Sequence, residues 1–283
     1  MSAKLRIGIL GLGQIGGSIA TRLSLVSSGY TTIGFDLRPE LLEASLQTRA
    51  VSQIAGSEQE LIDTSDVVVV ALPITEIIVF LKRRQSVLKG KLAVIDTGSV
   101  KQEIMSTAEE LQLFNFVGGH PLAGTEKRGL ASWNGSMFES ASLFLTRLAS
   151  TDQNAIETVN KIVLSLGATP ILIDAEAHDR MFAITSSLSH LAAYALRRTV
   201  AGSRNLPETM NLLNSPSFLG ATRVADSDPE MVFQMLWHNR QHVANGLSDF
   251  IAQLQSTWTA LMNHDPSALR EVLTLPQTLT KPQ

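Results

Sequence analysis

The hexapeptide GLGQIG, Gly11–Gly16, constrains this chain more than any other stretch. It directly follows a short apolar run, Leu5–Leu10 (LRIGIL), which reads as a buried strand. It opens a helix in which Ile19, Leu23 and Val26 share one face. A second strand, Thr31–Asp36 (TTIGFD), ends on an acidic residue twenty positions after Gly16. Each part of this spacing has a physical cause. Gly11 permits a tight turn, Gly13 lets the backbone approach a pyrophosphate, and Gly16 allows close helix–strand packing, with the helix N-terminus facing the phosphates. A carboxylate ending the second strand accepts hydrogen bonds from a ribose diol. Gly11, Leu12, Gly13, Gln14, Ile15, Gly16 and Asp36 therefore form a candidate dinucleotide site, with Leu72 and Pro73 as further cofactor contacts. Asp36 repels a 2′-phosphate, which favours NAD. Arg38, two residues on, can offset that repulsion, so NADP stays open as the alternative.

The alternation continues beyond the loop. Strands are expected at Asp66–Leu72, Leu92–Asp96, Phe116–Gly118, Ala141–Thr146 and Pro170–Ile173. Helices are expected at Leu41–Ala50, Glu76–Val87, about Val100 to Leu113, and Asn154–Leu166. Such βαβ units make a mostly parallel, doubly wound α/β sheet of the Rossmann type. From about Ala175 the pattern turns wholly helical: His178–Val200, Pro207–Leu213, Pro229–Leu261 and Ser267–Val272. Two domains are expected, 1–174 for the dinucleotide and 175–283 as an all-α domain. The apolar helices of the second are too few to bury one another, which predicts a homodimer.

Bulk properties narrow the function. A net charge of −3 argues against a nucleic-acid partner, and the absence of cysteine excludes disulfides, thiolate metal sites and a cysteine nucleophile. The longest apolar run, Val67–Leu72, is far short of a membrane span, and the N-terminus lacks a signal-peptide pattern. A cytoplasmic protein without a membrane partner is expected. The remaining histidines, His238, His242 and His264, show no metal-ligand spacing, and no metal is expected.

The stretch FVGGHPLAGTEKRG (116–129) sets His120 between glycine and proline, an arrangement no core requires. With GLGQIGGS, DTGSVK (Asp96–Lys101), HDRMFAITSSLSH (His178–His190) and ATRVADSDPEM (Ala221–Met231), it resembles the prephenate/arogenate dehydrogenase family over almost the whole chain. The resemblance implies a helical domain that dimerises and an active site in the cleft between domains. It also implies oxidative decarboxylation of a cyclohexadiene carboxylate: hydride leaves ring C4 for the nicotinamide, CO2 leaves C1, and the ring becomes aromatic, in tyrosine biosynthesis.

On that resemblance His120 is the base at the C4 hydroxyl. Ser99 lies beside the nicotinamide, bonding the histidine or the substrate hydroxyl; locally it also reads as a capping box with Gln102. Arg223 is the carboxylate clamp, since a guanidinium binds a carboxylate through two parallel bonds. His190 contacts substrate, although a lone histidine on an apolar helix face is ordinarily a core residue. Thr125 and Glu126 stand at the cleft mouth. His178 and Asp179 start a helix, where a carboxylate suits the dipole, and read as structural.

Many family members carry His-Leu-Pro-His where this chain has Ser187-Leu188-Ser189-His190, and Phe218-Leu219-Gly220 is also unusual. These departures leave three substrates open: prephenate, arogenate, or 4-amino-4-deoxyprephenate, a precursor of aminophenylalanine in secondary metabolism. A related 3-hydroxy-acid dehydrogenase is disfavoured, because such enzymes use a lysine in the helical region and Asp174–Pro266 contains none. A non-catalytic dinucleotide sensor is the remaining alternative.

Overall fold

The computed structural model describes residues 4–26, 29–124, 129–202 and 215–275. The helix expected at Pro207–Leu213 lies outside the described residues, as do Thr125 and Glu126.

One eight-stranded sheet organises the first part, in the order β3-β2-β1-β4-β5-β6-β7-β8. Its strands are β1 (Leu5–Leu10), β2 (Tyr30–Phe35), β3 (Gln53–Ile54), β4 (Val67–Val70), β5 (Ala93–Asp96), β6 (Phe116–Pro121), β7 (Ser142–Thr146) and β8 (Thr169–Leu172). All neighbours pair in parallel except β6 and β7. The helices between them are α1 (Gln14–Val26), α2 (Pro39–Gln47), α3 (Glu58–Thr64), α4 (Ile74–Leu88), α5 (Gln102–Glu110) and α6 (Gln153–Leu166).

Strand β4 is four valines, all buried, as expected of a parallel strand covered on both faces. Alternation divides them. Val67 and Val69 join Ile7, Ile19 and Leu23 on one face, where α1 and α6 pack. Val68 and Val70 join Ile77, Phe80 and Ile104 on the other, where α3, α4 and α5 pack. The loops at the carboxyl ends of β1, β4 and β5 thus gather along one edge of the sheet, where ligands bind in doubly wound folds.

Three local differences from the sequence reading matter. β3 and α3 were not expected. His120 lies within β6, opposite Phe144, rather than after the strand, because antiparallel β7 extends the ladder to Pro121. The helix expected from His178 begins earlier, as α7 (Ala175–Phe182), capped by Asp174, whose carboxylate accepts from the N–H groups of Glu176 and Ala177.

From Ala175 on, every described element is helical. A π-helical turn (Ala183–Ser187) leads from α7 into α8 (Leu188–Gly202). Then come α9 (Pro216–Thr222), a 3-10 turn (Arg223–Asp226), α10 (Pro229–His238), α11 (Arg240–Met262) and α12 (Pro266–Leu273). The single helix expected over Pro229–Leu261 is broken at Asn239, whose amide Nδ2 donates to the backbone carbonyl of Asp179 at 2.7 Å. No helix among the described residues is long and apolar enough to cross a membrane.

Candidate active site

Two polar chains meet at His120. The first begins at Asp96, which ends β5 and is fully buried. Its carboxylate accepts from the N–H groups of Gly98 (2.7 Å) and Gly119 (3.1 Å) and pairs with the buried ammonium of Lys101. That ammonium also donates to the carbonyl of Gly119, at 2.7 Å. Burial pulls the Lys101 pKa down, against the opposing attraction of Asp96 and Asp179. The DTGS turn is thus bolted to the strand that carries His120.

The second chain comes from the helical part. Asp179 accepts from the N–H groups of Lys101 (2.7 Å) and Gln102 (2.8 Å), so a carboxylate from α7 caps α5. The expected Ser99–Gln102 capping box does not form. α5 begins at Gln102, with Lys101 in the N-cap position, whose side chain makes no capping bond. Asp179 also receives a bond from Nδ1 of His178 at 2.7 Å, and Nε2 of His178 lies 2.9 Å from Nδ1 of His120.

This geometry assigns the protons. A carboxylate only accepts, so His178 carries its proton on Nδ1 and offers a lone pair at Nε2. Nδ1 of His120 must then be the donor, which leaves the lone pair of His120 on Nε2. The rings are enclosed by Phe182, whose centroid is 4.6 Å from that of His120 and 4.5 Å from that of His178. Burial, then the proximity of His178 and Lys101, holds His120 well below its ordinary pKa of 6.5. Burial likewise lowers His178, against the pull of Asp179. His120 keeps partial solvent access, as a base that meets a ligand must.

The glycine loop has the shape its spacing requires. Gly11 has φ of +90°, and a Cβ there would lie 2.3 Å from the carbonyl oxygen of Ala71. A Cβ on Gly16 would lie 1.9 Å from the carbonyl oxygen of Gly11. At Gly13, by contrast, the atom nearest an added Cβ is 4.0 Å away, on the Arg38 guanidinium, so the space over that residue is open. These features fit a pyrophosphate over the N-terminus of α1. Asp36 accepts from the Leu12 N–H at 2.7 Å and pairs with Arg38 at 3.0 Å. Burial by itself would raise the Asp36 pKa; the bonds from Arg38 and Leu12 outweigh it and hold the carboxyl low. Leu72 borders Gly11, and Pro73 caps α4.

Other candidates are placed less centrally. Ser99 is half-buried in the turn after β5 and makes no hydrogen bond with His120. The Nδ1 of His190 donates to the carbonyl of Ser186 at 3.1 Å. Arg223 is exposed where α9 passes into the 3-10 turn and makes no hydrogen bond to the His120 chain. His238, given no role from sequence, clasps the two parts together. It meets Glu103 at 2.7 Å and Thr75 Oγ1 at 3.0 Å, while Gln234 accepts from the Thr75 N–H at 3.2 Å. His238 carries no local signature, and only its partners, distant in sequence, reveal it; His178 reads as a helix start until its bond to the distant His120 is seen.

A doubly wound sheet with a glycine loop of dinucleotide shape, and a neutral histidine held at its ligand edge by an appended helical part, defines an α/β nucleotide-binding class of protein. The family model described as prephenate dehydrogenase, nucleotide-binding domain, matches residues 19–172, and that described as prephenate dehydrogenase, dimerization domain, matches residues 174–275. The chain belongs to the prephenate dehydrogenase family. It is 29% identical to prephenate dehydrogenase of Bacillus subtilis, over 92% of this chain and 71% of that protein. It is 30% identical to cyclohexadienyl dehydrogenase of Zymomonas mobilis, over 94% of this chain and 91% of that protein. The crystal structure of prephenate dehydrogenase from Aquifex aeolicus, in complex with hydroxyphenyl propionate and NAD+, superposes with a TM-score of 0.87, at 27% identity and 96% coverage of both chains.

Proposed function

We propose that the chain catalyses the NAD-dependent oxidative decarboxylation of a cyclohexadiene carboxylate of the prephenate/arogenate type. The observation that carries this reading is the Asp179–His178–His120 chain, which leaves an imidazole lone pair on Nε2 of a neutral His120. Loss of hydride from a carbinol carbon is helped by removing the hydroxyl proton, and a neutral imidazole is suited to accept it near neutral pH. As His120 gains that proton, its Nδ1–H bond to His178 stabilises the imidazolium, and Asp179 holds His178 in the tautomer that can do so. NAD, when bound, supplies the hydride acceptor. Residues 11–16, Asp36, Leu72 and Pro73 are assigned to hold it, and Asp36 is assigned to its ribose.

Ser99 is assigned to the substrate hydroxyl beside His120, Arg223 to a substrate carboxylate, and His190, Thr125 and Glu126 to further substrate contacts. Residues 1–174 and 175–283 are taken as the two domains. The helical domain is assigned to a homodimer; the matched dimerization domain and the apolar stripe Ile251, Leu254, Trp258 and Leu261 on α11 support this. A 4-amino-4-deoxy substrate is the second reading, favoured by Ser187 and Ser189 at the positions where many relatives carry histidine and proline.

The test is reduction of NAD and release of CO2 with prephenate, arogenate and 4-amino-4-deoxyprephenate, for the parent and His120→Asn. Turnover of a hydroxylated substrate, reduced about 10²- to 10⁴-fold in the variant, is expected. Turnover of the amino substrate alone moves the protein to the second reading. A folded parent that reduces no cofactor with any of the three overturns both.

A further inference from the structure

The glycine motif carries one glycine more than its fingerprint needs, Gly17, directly after Gly16. A Cβ at Gly17 would lie 2.1 Å from Nε1 of Trp133 and 2.2 Å from Cε2, inside the indole ring. That indole belongs to the segment that leaves β6, the strand of His120. It returns through a 3-10 turn (Gly129–Ser132) to lie on α1. There Nε1 of Trp133 donates to the carbonyl of Leu12 at 3.0 Å. The next residue, Asn134, donates its backbone N–H to the buried Ser18 hydroxyl at 2.9 Å.

Leu12 is therefore held at both ends of its peptide framework. Its N–H is taken by Asp36 at 2.7 Å and its carbonyl by Trp133. Leu12 lies between Gly11, which makes the turn, and Gly13, over which the space is open. An indole N–H has no other polar function to perform, and half-burying it costs free energy unless it finds an acceptor. Here the acceptor is the crest of the dinucleotide loop.

We propose that Trp133 is a positioning residue for the dinucleotide: it fixes the Leu12–Gly13 peptide in the orientation that receives the pyrophosphate, and so ties the segment following His120 to the cofactor loop. The proposal rests on the reading of residues 11–16 as the dinucleotide loop. A backbone already set in its bound conformation spares the ordering cost on binding, so loss of the clamp weakens affinity without touching the chemical step.

The experiment is calorimetric titration of the parent, Trp133→Phe and Gly17→Ala with NAD, with kcat measured alongside. Trp133→Phe keeps the ring and removes the donor. One net hydrogen bond of about 0.5–1.5 kcal/mol corresponds to a rise in Kd for NAD of roughly three- to tenfold, with kcat within about twofold of the parent. Gly17→Ala, which drives the indole off α1, should raise Kd by at least as much. A role in packing alone would lower the melting temperature and leave Kd unmoved, and that result overturns the proposal. If the parent binds no NAD, the reading of the loop itself fails and the proposal with it. Should neither variant fold, the parent decides. Its Trp133 indole N–H resonance, assigned by exclusion with Trp237→Phe and Trp258→Phe, should shift when NAD saturates the protein. A resonance that stays in place overturns the proposal.

Discussion

At the scale of single residues, the behaviour of His120 follows from what surrounds it. Burial and its neighbours keep it neutral in the folded protein well below pH 6.5, and burial lowers His178 too. In the unfolded chain both recover the ordinary value of about 6.5. Below that pH, down to the lowered folded values, the unfolded chain binds more protons than the folded one. Stability is therefore full above about pH 6.5 and is lost as the pH falls through it. Urea unfolding at a series of pH values should show this slope, and it should shrink in His120→Asn. The same shift governs activity: the acid limb of kcat/KM should lie below pH 6.5, and a limb at or above 6.5 would contradict a buried neutral base. The sequence motif raised the question of His120, because no core requires a histidine between glycine and proline, and the family resemblance made it a candidate base. The partner that sets its tautomer was hidden, since His178 and Asp179 look like an ordinary helix start until the chain folds.

At the scale of elements, the capping of α5 decides how the two parts of the chain meet. Ser99 and Gln102 have capping-box spacing, yet the helix starts too late to use it, and Asp179 reaches across from α7 instead. Asp179→Ala removes a cap worth about 1–2 kcal/mol and frees His178 to take the wrong tautomer. Urea unfolding should register the first loss. A fall in kcat exceeding that of a helix cap elsewhere, such as Asp265→Ala at α12, should register the second. A second capping pattern is local. Ser57 and Glu60 form a capping pattern for α3, with Ser57 Oγ accepting from the Glu60 N–H at 3.1 Å, and that signal was available in the sequence. The break at Asn239 was not, because asparagine is only a weak helix breaker and what bends the chain there is a bond to the distant Asp179.

At the scale of the whole molecule, the helical part leaves large apolar side chains in the open. On α11 these are Ile251, Leu254, Trp258 and Leu261, at a spacing that puts them on one face, and on α10 Phe233 and Trp237. Trp258 is 62% exposed, so most of its indole stands in water. A second copy covering this face would bury it, in the symmetric manner of most homodimers. Sedimentation at micromolar concentration should show a species of twice 30.6 kDa. Leu254→Asp with Trp258→Asp should convert it to the monomer while leaving the helical circular dichroism in place; a parent that is monomeric throughout would remove the dimer.

By itself, the sequence determined the α/β architecture and the dinucleotide loop, and its resemblance to a family pointed to His120 as a candidate base. The first two are written in local spacing, apolar runs between glycines and GLGQIG after a strand; the third rests on the resemblance of the 116–129 stretch to a family motif. The tertiary structure alone decided which partners complete them. Asp179 caps α5, His178 orients His120, His238 clasps Glu103 and Thr75, and Trp133 holds Leu12, all through bonds between residues far apart along the chain. The physical reason is the short range of the hydrogen bond. It acts over about 3 Å in space and takes no account of separation in sequence, so no local pattern records it.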